Sequence, residues 1–209
     1  MPITNSREKF VHELADTYDA EHQFLEAMQK MHENASDEKL RTMLDEHMAE
    51  TRGQIENLQA VFSSIGETPK RQHCSGAEGI IEEGSKAMEE AGTDELRDTF
   101  IVGGATKAEH YEMVSYADLI EGAEMLKLKK AVKLLTENRE QEVRDRSQAS
   151  ADVSPAGEAG RLDLSAVVAR ISSPRGHPWA PGSNLVIDGP GHSPMVRRQI
   201  THRLVLRTA

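Results

Sequence analysis

Residues 6–150 carry apolar side chains at three-to-four spacing in long series, and that periodicity leaves little open except a bundle of amphipathic helices. The first series is Phe10, Leu14, Tyr18, Leu25 and Met28, opened by Asn5 and Glu8 at the spacing of a capping box. A turn at Asn34–Ser36 follows, with Ser36 as the expected N-cap and Asp37 and Glu38 at the positive end of the next helix. The second series runs through Leu40, Met43, Leu44, Leu58, Val61, Phe62 and Ile65 and is stopped by Gly66 and Pro69. A short helix over roughly 76–91 opens with a second capping box, Ser75 to Glu78, and ends at Gly92. Thr93, with Asp94 and Glu95 behind it, opens a third long helix carrying Ile101, Ala105, Ala108, Ser115 and Leu119. The last helix, marked by Val132, Leu134 and Leu135, fades by about Ala149. Its preceding turn is placed near Lys127, with Gly122 as the purely local alternative.

A tight first turn makes the first two helices an antiparallel hairpin, and the last helix folds back on the third. Two hairpins joined by a long connection with its own short helix have the topology of ferritin-like four-helix bundles with a crossover. The expected fold is therefore all-α over residues 1–150. Composition then changes near Ser154: every lysine precedes it, whereas six of the eight prolines and Trp179 follow it. Residues 151–209 read as an irregular, Pro/Gly-rich C-terminal extension, with at most a short helix over Leu162–Ile171 and a short strand over Asn184–Ile187.

With 35 acidic against 25 basic residues the formal charge is -10, which argues against a nucleic-acid or anionic-membrane surface on the helical part. No apolar run approaches the length of a bilayer span. The single cysteine, Cys74, excludes an internal disulfide and fits a reducing compartment, so the expected location is the cytoplasm.

A stripe that faces a core should be apolar, and polar residues on it need a reason. Each long helix has such a residue. Glu21 continues the Leu14–Tyr18 stripe, and His47 continues Leu40–Met43 with Glu50 and Gln54 beyond it. Glu112 lies between Ala108 and Ser115, and Glu142 follows Leu135 by two turns. Antiparallel neighbours pair residues about equally far from their turn. Reflecting Glu21 through residue 35 lands at about 49, between His47 and Glu50, at ~1.5 Å per residue. Reflecting Glu112 through 127 lands at about 142. Carboxylates gathered in a low-dielectric core must be neutralised by protons or by a cation. Mixed oxygen and nitrogen donors suit iron or manganese. A Glu/His pair at i,i+3 belongs to the di-metal carboxylate arrangement, although the order here is His47-x-x-Glu50 rather than Glu-x-x-His.

The stretches YDAEHQFLEAM (18–28), HMAETRGQIENLQAVF (47–62), CSGAEGIIEEG (74–84) and KAEHYEMVSYADL (107–119) closely resemble the YciE/YciF-like ferritin-like proteins, small bacterial proteins named for association with stress. The resemblance spans roughly residues 7–145. It implies an antiparallel bundle, a homodimer and a di-metal centre with Glu21, His47, Glu50, Glu109, Glu112 and Glu142 as ligands. If the metal is redox-active, the implied chemistry is its oxidation by oxygen or peroxide, with Glu50 and Glu112 as bridging carboxylates. The fourth helix departs from the family pattern: two Glu and a Lys are replaced by Gln141–Glu142–Val143, and the acid expected shortly afterwards stands one position early as Asp145. His110 shares the motif block but points away from Glu112 around the helix.

Two other readings remain. One is a metal-free helical dimer that works as a structural or interaction protein; in either reading the homodimer is expected to pair through Met31, Met48, Ile55 and Ile65 of the first hairpin. The other is a thiol redox protein using Cys74, whose position before a helix and beside His73 suits a lowered pKa.

Overall fold

The computed structural model describes residues 2–151, with side chains described as far as Arg144. The short helix and strand expected within 151–209 lie outside the described residues. The described part is all helical: α1 (Ser6–Asn34), α2 (Glu38–Ser64), α3 (Ser75–Glu90), α4 (Asp94–Met125) and α5 (Lys129–Ala151). None of these helices is long and apolar enough to cross a membrane.

Local capping chemistry starts α1 to α4, with three departures from the expected caps. Asn5 accepts from Glu8 N at 3.0 Å, but the Glu8 carboxylate turns outward to Thr4 N and Thr4 Oγ1 at 2.8 and 2.9 Å, so only half of a capping box forms. α2 is capped by Asp37, which accepts from Lys39 N and Leu40 N at 2.7 and 3.0 Å, not by Ser36. Ser36 is claimed from elsewhere: its N–H and hydroxyl donate to Asp98 of α4 at 2.8 and 2.5 Å. α3 is capped by the Cys74 sulfur, which accepts from Ala77 N at 3.5 Å, instead of by Ser75. Glu78, expected to complete that box, stands 3.1 Å from His73. At α4 the Thr93 hydroxyl accepts from Leu96 N at 3.2 Å, the expected cap.

The α4–α5 turn falls at Lys127, whose φ of 59° reverses the chain. Gly122 is instead helical. A Cβ there would stand 3.2 Å from the Phe10 ring, so the glycine serves a close approach of α1 to α4 and not a turn.

α1 packs on α2 and α4, and α5 packs on α2 and α4, so the four long helices form a ring. α1 and α4 are antiparallel, because Asp98 near the start of α4 binds the α1–α2 turn while Gly122 near its end meets Phe10 near the start of α1. The segment between α2 and α4 returns along α1, with Gln72 N donating to Ala15 O at 3.1 Å and Cys74 N to the Asp19 carboxylate at 2.8 Å. α3 then lies on α1 and α4.

Beside a small cluster of Ala20, Phe24, Cys74 and Ala77 where α3 meets α1, the interior has two larger apolar clusters with a polar layer between them. One holds Phe10, Leu14, Leu58, Val61, Phe62, Leu119 and Leu135. The other, at the α1–α2 turn, holds Met28, Met31, Leu40, Leu44, Met48 and Ile101. Each such side chain contributes roughly 1.5–3 kcal/mol on burial. Met43, expected on this stripe, is 45% exposed because its neighbours Leu40 and Leu44 define the buried face. Met31, Met48 and Ile55, expected at a dimer surface, are 6–7% exposed and already used inside the chain.

Candidate metal centre

Between the two apolar clusters the helices place Glu21, Thr51, Gln54, Glu112, Asn138 and Glu142, each at most 1% exposed. Periodicity puts them there. Glu21 continues the buried face of Leu14 and Tyr18, and Gln54 lies one turn before Leu58 on α2. Glu112 precedes Tyr116 and Leu119 on α4, and Glu142 follows Leu135 and Asn138 on α5.

Three of the six expected ligands converge tightly: one ligand atom each from His47, Glu112 and Glu142 lies within 4.8 Å of the others. Glu21 stands beside Glu112, whose carboxyl its charge pushes up. Glu109 stands outside this group, its Oε1 4.0 Å from His47 Nδ1, too far for a hydrogen bond. Glu50 is half-buried and acts on His47 electrostatically, but it too lies outside the tight group. His110 is exposed, with Nδ1 2.8 Å from Thr106 O on its own helix.

Neighbouring donors and burial set the electrostatics of these carboxyls. Tyr116 O–H donates to Glu21 Oε1, and Gln54 N–H donates to Glu142 Oε1, so both oxygens act as acceptors. Asn138 ties these donors together: its amide N–H groups reach Tyr116 Oη at 3.0 Å and Gln54 O at 3.2 Å, and its oxygen accepts from Asn57 at 2.7 Å. Burial pushes Glu112 well above its ordinary 4.5, and the charges of Glu21, Glu142 and Glu109 push it further. Burial raises Glu21 to about 7 against the lowering hydrogen bonds from Tyr116 and Glu112. Burial lowers His47, which favours the neutral imidazole over the imidazolium.

The donor set also leaves oxygens unused. Among the described residues, Oε2 of Glu21, Oε2 of Glu112 and Oε1 of Gln54 are buried and meet no hydrogen-bond partner. Each such atom costs roughly 1–3 kcal/mol unless something satisfies it. Carboxylate oxygens with one neutral imidazole are the donors that Fe(II) or Mn(II) takes, so the residues present fit such an ion.

The family model described as "Domain of unknown function (DUF892)" matches residues 5–150. The chain belongs to this DUF892 family. It is 40% identical over 143 residues to Protein YciF of Escherichia coli K12, a match covering 68% of this chain and 86% of that protein. The crystal structure of the E. coli stress protein YciF matches with a TM-score of 0.65 and 39% identity, covering 68% of this chain and 91% of that one. YcfI from Rhodopseudomonas palustris matches with a TM-score of 0.68 and 34% identity over 70% of this chain and 93% of that one. The resemblance carried by the motif blocks is thus a relationship of sequence and fold.

Three members of the polar layer in this DUF892 chain were missed by sequence reasoning, Thr51, Tyr116 and Asn138. Each lies four residues from a ligand candidate on the same helix, Thr51 after His47, Tyr116 after Glu112 and Asn138 before Glu142, and that spacing was the available signal. The thiol reading is corrected. Cys74 is 1% exposed, and burial pushes its thiol up, outweighing the lowering hydrogen bonds from Tyr111 and Ala77. Its sulfur lies 3.0 Å from Tyr111 Oη and serves as a helix cap.

Proposed function

We propose that this protein is a ferritin-like, crossover-type four-helix bundle that holds iron or manganese in its polar layer and serves stress protection in the cytoplasm as a homodimer. The observation that carries the reading is the convergence of His47, Glu112 and Glu142 in a buried layer. Glu21 stands beside them with an unsatisfied buried oxygen. In this reading these four residues hold one cation, while Tyr116 and Gln54 fix the second oxygens of Glu21 and Glu142. The two apolar clusters keep water from the layer. Bound iron or manganese would supply redox chemistry toward oxygen or peroxide. A di-metal form needs Glu50 and Glu109 as ligands to a second ion, and Gln141 and Val143 replace the residues that the family pattern places around Glu142.

A second reading, a metal-free bundle with a structural or interaction role, has its own support. With Glu112 protonated, the donors Tyr116, Gln54 and Asn138 already balance much of the layer. Elemental analysis of protein purified without added metal or chelator, combined with melting curves, separates the two. The first reading expects stoichiometric iron or manganese, a lower Tm with chelator, and restoration by Fe(II) or Mn(II). Saturation at 100 times Kd would add about 2.7 kcal/mol. A metal-free preparation whose melting ignores both treatments leaves the second reading.

A further inference from the structure

We propose that a divalent cation reaches the polar layer at one edge of the bundle, where Glu109 and His47 face each other beside Glu50, and that these three residues form the mouth of the site. The inference rests on the cation reading above and adds the route by which the site fills.

The argument is a gradient of exposure along one line of polar groups. Glu50 is half-buried, and the side chains of His47 and Glu109 are 18% and 10% exposed. One turn further along α4, Glu112 is 1% exposed, and Glu142 and Glu21 are at 0%. Among the described residues, two other directions are closed. On one side the Gln54–Asn138–Tyr116 hydrogen bonds close the layer, and Leu58, Leu119 and Leu135, at 0–1% exposure, lie beyond them. On the other side stand Met28, Leu44, Met48 and Ile101. A cation crossing either apolar cluster would lose its hydration with nothing to replace it, at a prohibitive cost. At the mouth it exchanges water for Glu50 and Glu109. It then advances by about one helical turn, ~4.5 Å for three residues, from Glu109 to Glu112. His47 belongs to both ends, since it faces Glu109 and sits within the group of three ligand atoms. Two carboxylates at a narrow, low-dielectric opening also concentrate cations there and raise the rate of capture.

The test is the rate of Mn(II) uptake by metal-stripped full-length protein, followed by loss of the free Mn(II) resonance signal after mixing. Equilibrium stoichiometry is measured separately after desalting. Glu109→Gln and Glu50→Gln are expected to slow uptake by about tenfold or more. Added salt should slow the wild type more than either variant, a response that a merely structural role would not give. Wild-type rates in both variants overturn the proposal. So does loss of equilibrium Mn(II) in Glu109→Gln, which would make Glu109 a ligand instead. Failure of the wild-type protein to retain any Mn(II) overturns the cation reading itself, and the mouth with it. Glu50 is half-buried, so its variant keeps the test open if Glu109→Gln disturbs folding, as judged by helicity.

Discussion

Replacing Glu21 by Gln should change how the stability of the metal-free protein depends on pH, and the size follows from the site. Glu21 in the folded chain titrates near 7, raised from 4.5 by burial. The folded state therefore keeps this proton to higher pH than the unfolded state does. Its contribution to stability is fully present below about pH 4.5 and is lost as pH rises through about 7. At 1.36 kcal/mol per pH unit, that interval corresponds to about 3 kcal/mol. Glu112, also raised, adds loss in the same direction. His47 works the other way, because burial lowers it and stability gained from its neutral form grows as pH rises toward 6.5. That opposing effect is common to wild type and variant and cancels in their difference. A Gln at 21 keeps an oxygen to accept from Tyr116 and gains an amide to face Glu112, with no proton to lose. The assay is urea unfolding followed by helical circular dichroism in chelator, at intervals from pH 4.5 to 8. Wild type and variant should show their smallest difference near pH 4.5 and diverge to about 3 kcal/mol in favour of the variant by pH 8. Parallel profiles would refute the assignment of a protonated carboxyl pair to this layer.

Glu112→Leu should stabilise the metal-free protein at pH 8, because it removes the most strongly raised carboxyl, and should abolish bound metal. Wild-type metal content in that variant, by elemental analysis, would take Glu112 off the ligand set. Gly76→Ala should destabilise the fold by about 1–3 kcal/mol, the usual cost of overpacking. Its Cβ would stand 2.7 Å from Tyr111 Cε2, against a ring that packs edge-on to Phe24. Cys74, which now borrows the Tyr111 hydroxyl, should then react faster with a thiol reagent, and an unchanged labelling rate would show that the ring yields freely. Light scattering at micromolar concentration is expected to give twice the 23.1 kDa chain mass, and the chain mass itself would refute the homodimer.

Sequence alone determined what depends on near neighbours and on counting along a helix. Asn5 and Thr93 cap their helices because a short polar side chain needs only the N–H three residues ahead. The depth of Glu112 and Glu142 was legible because residues equally far from the Lys127 turn meet across an antiparallel pair. Only tertiary structure decided what depends on groups far away in the chain. Ser36 loses the cap of α2 to Asp37 because Asp98, 62 residues later, binds its N–H and hydroxyl. Cys74 caps α3 and is buried beneath Tyr111, so the same thiol that looks activated in sequence is pushed up. The protonation of the polar layer was equally beyond reach. It depends on Tyr116, Gln54 and Asn138 arriving from three helices to donate to particular oxygens. A carboxylate's charge is set by its surroundings in space, and those surroundings exist only once the helices have packed.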